Sequence, residues 1–145
     1  MKNIEQLLEE FKTPLATIDN QLQSNLAEEK RTHILLMVYR MREAVAKQQE
    51  ELRPHYIKEL PTTHGLSADE LSHLFPKEAA LLIDQCWSKY QDYIDKHWLT
   101  KQNRMKTVFQ GTQDNPTSER GQLHFESKKL VSYFDQIISK LNSLT

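Results

Sequence analysis

The sequence predicts an all-α protein, namely an antiparallel four-helix bundle with one short extra helix at about residues 68–74. Glycine and proline are scarce among the 145 residues, at 3 and 5, whereas sheet-rich folds need both residue types for their many turns. Leucine is frequent and valine is rare, which favours helix because β-branching restricts χ1 against the preceding turn. Long segments also repeat apolar residues at helical spacing. The chain length suits one helical-bundle domain over residues 1–145.

The first predicted helix carries an apolar seam with the 4-3-4-3-4 spacing of a 3.5-residue period. This seam consists of Ile4, Leu8, Phe11, Leu15, Ile18 and Leu22. The seam keeps its phase across Pro14, so we expect a kink there rather than the start of a new helix. The phase slips near Asn25, which forms a possible capping box with Glu28. A second helix is therefore expected from about Leu26 to Arg53.

The connection between these two helices is left open by the sequence. No glycine or proline separates them, so they could form one long helix that bends or swaps between subunits. We favour a hairpin, because a continuous helix would contain two polar turns over residues 27–32 that contribute nothing to a core.

The middle of the chain contains the clearest stop and start signals. Pro54 and Pro61 end the second helix, and an irregular connection is expected over residues 54–66. Ser67 and Glu70 form a capping box for the short helix.

The two remaining helices follow from similar signals. Pro76 suits the first position of a third helix, which is predicted from Lys77 to Gln110 and stopped by Gly111. A polar loop should follow over residues 111–116. The last helix is predicted from about Thr117 to Leu144, with an apolar seam that again follows a 3.5-residue period.

The third helix provides the candidate docking surface. Its apolar sector is broad, so it should contact two neighbouring helices. At about 50 Å it would exceed the last helix, at about 40 Å, so one end should overhang the bundle. The apolar residues on that end are our candidate partner-binding residues: Trp98, Met105 and Phe109.

A basic stretch on the same predicted helix suggests an alternative site. No acidic residue occurs from Lys96 to Gln113. The cations that could contact an anion or a nucleic acid are Lys96, Lys101, Arg104 and Lys106. Trp98 could then stack on a base.

Other residues with chemical potential form no convergent set in the sequence. Glu70 and His73 have the spacing of a helical metal-ligand pair, but bundle di-metal sites need that motif twice. Cys86 lies on the apolar sector of the third helix and is predicted to be a core residue. We therefore expect no catalytic residues, no metal and no cofactor.

The composition indicates a protein completed by a partner. The hydrophobic fraction is 38%, below the roughly 45–50% of average domains. A net charge of −1 provides no global attraction to nucleic acid or to a membrane. We expect a cytoplasmic, non-enzymatic protein–protein interaction module of the chaperone, adaptor, inhibitor or anti-factor type. Its partner would be another protein or a second copy in a homodimer, with a nucleic-acid-associated regulator as the alternative.

Overall fold

The computed structural model describes residues 3–144, without the side chains at position 5 and positions 7–16. These residues form five α-helices: α1 (Ile4–Glu50), α2 (Pro54–Lys58), α3 (Ala68–Leu74), α4 (Lys77–Tyr93) and α5 (Glu119–Leu144). A π-helical turn, Ile94–Trp98, continues α4. No strand occurs within residues 3–144 apart from an isolated bridge between Leu99 and Met105. The predicted all-α class is confirmed.

The favoured N-terminal hairpin is wrong, because α1 runs unbroken from Ile4 to Glu50. The polar segment at residues 27–32 is rich in alanine, glutamate, lysine and arginine, which are strong helix formers. Because no glycine or proline interrupts the backbone hydrogen bonds of the helix, these residues propagate it. The start of α1 is fixed by a capping box in which Asn3 accepts from the Gln6 amide at 2.8 Å.

Helix α5 is the central element, because it packs against both α1 and α4. Arg42 on α1 pairs with Asp135 at 2.9 Å, and Tyr93 on α4 pairs with Ser127 at 2.7 Å. Farther along, Tyr39 approaches Asn142. Because residue numbers rise on α1 and α4 as they fall on α5, α5 is antiparallel to both helices.

The core lies between α4, α5 and the second half of α1, and α2 and α3 add buried residues to it. Within the described part of α1, Ile34 is the first buried side chain. The largest fully buried side chains of the molecule are Trp98, Tyr90, Phe134, Ile34, Met41, Ile57, Leu71, Ile83, Leu123 and Leu141.

The third helix is shorter than predicted, since it ends at Tyr93 and its π-helical turn ends at Trp98. Leu99 is extended, and the chain then reverses in a turn in which the Thr100 carbonyl accepts from the Asn103 amide at 2.9 Å. Asn103 adopts a φ of 59°, which asparagine tolerates better than most residues. The side chains of Thr100 and Asn103 therefore favour the turn where the apolar period alone suggested helix.

Candidate protein-interaction surface

The predicted docking residues do not form an exposed stripe. Trp98 is 0% exposed, and the edge of its ring meets Phe109 with ring centroids 5.1 Å apart. Met105 is partly buried and pairs with Leu99 across the isolated bridge. The cause is the early end of α4, because the chain that was expected to overhang folds back over the core. This part of the prediction is corrected: Trp98 belongs to the interior.

The four cations of the basic stretch do not lie on a single face either. Lys96 lies on the π-helical turn, whereas Lys101 and Arg104 lie in the exposed reversal after it. Lys106 is partly buried and forms an ion pair with Glu119 at 3.2 Å. The cations are therefore distributed over a turn and a loop, and one of them is already neutralised.

A surface cavity of about 240 Å³ lies between α4 and α5 beside Lys96. Its charged lining is mixed, since it contains the carboxylates Asp92 and Glu126 as well as three lysines. His97 also lines this cavity, and burial lowers the pKa of its imidazole. A neutral histidine and paired opposite charges give this cavity little preference for an anion.

His64 forms the one close histidine–carboxylate pair among the described residues. Its Nε2 lies 2.8 Å from Asp84 Oδ1, and its Nδ1 accepts from the Leu66 amide at 3.1 Å. Since Nδ1 accepts, Nε2 carries the proton and donates it to the carboxylate. A general base needs a free ring nitrogen, and neither nitrogen of His64 is free. The pair therefore anchors the connection before α3 onto α4.

His55 on α2 and His73 on α3 do not converge with His64 on a shared centre. His55 is exposed and lies against the Tyr56 ring. His73 is exposed, and its Nδ1 lies 2.6 Å from the Asp69 carbonyl oxygen. Within the described part of the chain, no group of three or more histidine, cysteine, aspartate and glutamate side chains is placed to hold a metal ion.

Cys86 is fully buried on α4. Burial raises the pKa of its thiol to about 12. Because the thiolate is the reactive species, Cys86 is a poor nucleophile in the folded protein.

Four large, exposed apolar side chains lie on the first half of α1. Ile18, Leu22 and Leu26 are spaced four residues apart and are 54%, 55% and 57% exposed. Ile4, at the beginning of the helix, is 75% exposed. We call these four residues the N-terminal stripe. At about 100° per residue, the backbone positions 8, 11 and 15 fall on the same face. The structure does not describe the side chains at these three positions.

The N-terminal stripe is distinct from the face that α1 buries in the core. Ile34, Met41 and Val45 point into the core, and their mean direction is about a third of a turn from that of the N-terminal stripe. From Ile4 to Ile34 α1 extends about 45 Å, and none of the described side chains before Ile34 is buried. The sequence revealed this seam but assigned it to the inside of a hairpin.

A groove between α1 and α2 begins close to the end of the N-terminal stripe. Its volume is about 520 Å³, and it is lined partly by Leu36, Tyr39, Tyr56 and Leu60. Leu36 and Tyr39 are 46% and 44% exposed. The polar residues 28–33 separate these two side chains from the N-terminal stripe.

Among the described residues, no helix combines the length and apolar character that crossing a membrane requires. Comparison of the chain with protein-family models, with curated proteins and with solved structures gives no match.

Proposed function

We propose that this chain is a cytoplasmic, non-enzymatic protein–protein interaction module that docks a partner helix on the N-terminal stripe. The single observation that carries the proposal is the exposure of Ile18, Leu22 and Leu26, each more than half exposed, on one face of α1. An amphipathic partner helix would place its own apolar residues against this face at three- and four-residue spacing.

Helix energetics support this proposal. Most helical stability in proteins comes from packing an amphipathic face against other elements, and not from propensity alone. The first half of α1 presents such a face, and its described residues Ile4, Ile18, Leu22 and Leu26 are all exposed. A partner would remove the large apolar side chains from water and thereby stabilise both helices.

The alternative function, a nucleic-acid-associated regulator, receives less support. Lys101 and Arg104 are exposed, but Lys106 is bonded to Glu119 and Lys96 has carboxylates beside it. A phosphate-binding surface would need several cations that are free and close together.

The proposal is tested by capturing partners from source cells on the purified chain, with two matched variants. Leu22→Glu introduces a charge on the N-terminal stripe, whereas Asn20→Glu introduces the same charge on the opposite, exposed face of α1. We expect the wild-type chain to capture another protein, or a second copy of itself, in a complex that high salt does not dissociate. Leu22→Glu should abolish this binding, and Asn20→Glu should retain it.

Two results would contradict the proposal. The first is a partner that Leu22→Glu still binds with wild-type affinity. The second is binding that is abolished by salt or nuclease and by the double change Lys101→Glu and Arg104→Glu, since phosphate contacts weaken steeply with salt. The second result would favour the regulator instead.

A further inference from the structure

We infer that the partner on the N-terminal stripe is a second copy of this chain, with the two α1 helices parallel and in register over about residues 4–25. The inference rests on the proposed function and specifies its partner. It explains why a long helix exposes an apolar face before it enters the core.

The seam of α1 has the pattern of a self-associating helix. Assigned to heptads, its a positions are Leu8, Leu15 and Leu22, and its d positions are Ile4, Phe11 and Ile18. All six positions carry large apolar residues, so the same face on another copy offers matching knobs and holes. Leucine at a with isoleucine at d shifts parallel coiled coils from two strands towards three or four, so more than two copies can share the seam. Pro14 falls at a flanking g position, outside the seam.

The charges beside the seam select the parallel direction. In an antiparallel pair that matched all six seam residues, the e positions of one copy would face the e positions of the other. Lys12 would then lie opposite Lys12 of the other copy, and Glu5 would lie opposite Asp19. Both contacts join like charges, and such contacts are destabilising. In a parallel pair, e positions face g positions of the other copy, so Lys12 faces Leu7 and Asp19 faces Pro14. This arrangement contains no like-charged pair.

The fold leaves room for this arrangement. The body of each copy is attached to α1 through the core face, which points about a third of a turn away from the N-terminal stripe. The α1–α2 groove begins at Leu36, beyond the paired segment. Two parallel α1 helices can therefore approach closely along residues 4–25 while their bodies stay on different sides.

The size of the contact between each pair of copies predicts reversible association. A buried aliphatic or aromatic side chain removes roughly 60–120 Å² of apolar surface from water, so six seam residues on each copy bury roughly 700–1,400 Å² in total. Stable specific interfaces bury about 1,200–2,000 Å². The pair reaches the lower end of that range, and it should dissociate on dilution.

The first test is the molar mass of the full chain by sedimentation over a wide concentration range. Wild type and Asn20→Glu should pass from monomer to a dimer or a larger parallel assembly as concentration rises, whereas Leu22→Glu should stay monomeric at every concentration. Leu22 is exposed, so the variant should keep the helical content and thermal midpoint of the body, which circular dichroism checks.

The second test reports direction through a single introduced cysteine. Asn25 is exposed and occupies the next d position after Leu22, so in a parallel pair it faces its own copy. Asn25→Cys should oxidise to a disulfide-linked dimer, because facing d positions have Cα atoms within disulfide reach. Asn20→Cys, on the outer side, should not. The natural Cys86 is buried and contributes little background.

The possible results separate this inference from the proposed function. A wild-type chain that stays monomeric, or a dimer that Leu22→Glu retains, overturns the second copy as the partner. The capture experiment then still decides whether a different protein binds the N-terminal stripe. If Leu22→Glu abolishes self-association but Asn25→Cys does not cross-link, the parallel arrangement is overturned.

Discussion

Gln48 shows how one polar side chain can end a helix inside the core. It is 3% exposed, and its Nε2 donates to the carbonyl oxygens of Ala44 at 3.0 Å and Arg53 at 2.8 Å. Its Oε1 accepts from the Arg53 amide at 2.8 Å. The side chain thus satisfies the Arg53 amide at the turn from α1 into α2, and it is a second donor to the Arg53 carbonyl oxygen, which also accepts from the Tyr56 amide at 3.2 Å.

Replacing Gln48 with methionine should reveal this role. Gln48→Met keeps most of the volume but leaves the amide and carbonyl of Arg53 without their side-chain partner. We expect a loss of about 1–3 kcal/mol in the free energy of unfolding, measured as a lower urea midpoint with an unchanged slope. Gln23→Met on the exposed half of α1 is the control and should change stability by less than about 0.5 kcal/mol. Equal effects at both positions would refute the capping role.

At the scale of elements, local signals predicted some boundaries well. The Ser67 hydroxyl accepts from the Glu70 amide at 3.1 Å and the Glu70 carboxylate caps Ser67 in return, as the capping box predicted, and α3 spans Ala68–Leu74. These contacts lie within four residues and depend on little else. Gly111 did not stop a helix; its φ of +88° serves a loop in which a β-carbon would overlap Ser118.

Helix α5 offers a sharp test of how elements share the core, because it carries one buried and one exposed phenylalanine. Phe134 is 0% exposed and Phe125 is 62% exposed. Phe134→Ala should cost about 3–5 kcal/mol, since it removes apolar contacts and leaves a cavity. Phe125→Ala should cost less than about 0.5 kcal/mol. Urea denaturation of both variants measures the difference, and similar midpoints would show that α5 is packed differently.

At the scale of the whole molecule, three buried acids link stability to alkaline pH. Burial raises the pKa of Cys86 and of Tyr93 to about 12, and it raises the pKa of Tyr90 above the usual tyrosine range. All three groups are neutral in the folded protein at neutral pH. In the unfolded chain they ionise near their ordinary values, about 8.5 for a thiol and about 10 for a phenol.

The folded protein should therefore lose stability as pH rises from about 9 to about 12. Above the ordinary pKa values the unfolded chain releases protons that the folded protein still holds, and unfolding is favoured. Each unit of pKa difference contributes about 1.4 kcal/mol. In Cys86→Ala the loss of stability should begin only near pH 10, because only the two phenols then contribute. Urea midpoints across this pH range measure the loss of stability, and constant midpoints would contradict the burial of these groups.

Taken alone, the sequence determined the helical class, the short helix α3, the seam on the first half of α1 and the core positions of α4 and α5. These features depend on propensities, caps and apolar periods, which act between residues close in the chain. Periodicity shows which residues share a face, but it does not show what covers that face.

Only the tertiary structure decided that α1 continues through residues 27–32, that Trp98 is buried and that the N-terminal stripe is exposed. The burial of Trp98 and the exposure of the N-terminal stripe depend on which surfaces meet across long sequence separations, whereas α1 continues because residues 27–32 are mostly strong helix formers with no glycine or proline among them. Trp98 was predicted to lie at an overhang, and a turn at Thr100–Asn103 folds the following chain over it. The seam of Ile18 and Leu22 was predicted to pack inside a hairpin, and a helix without a break carries it out of the core.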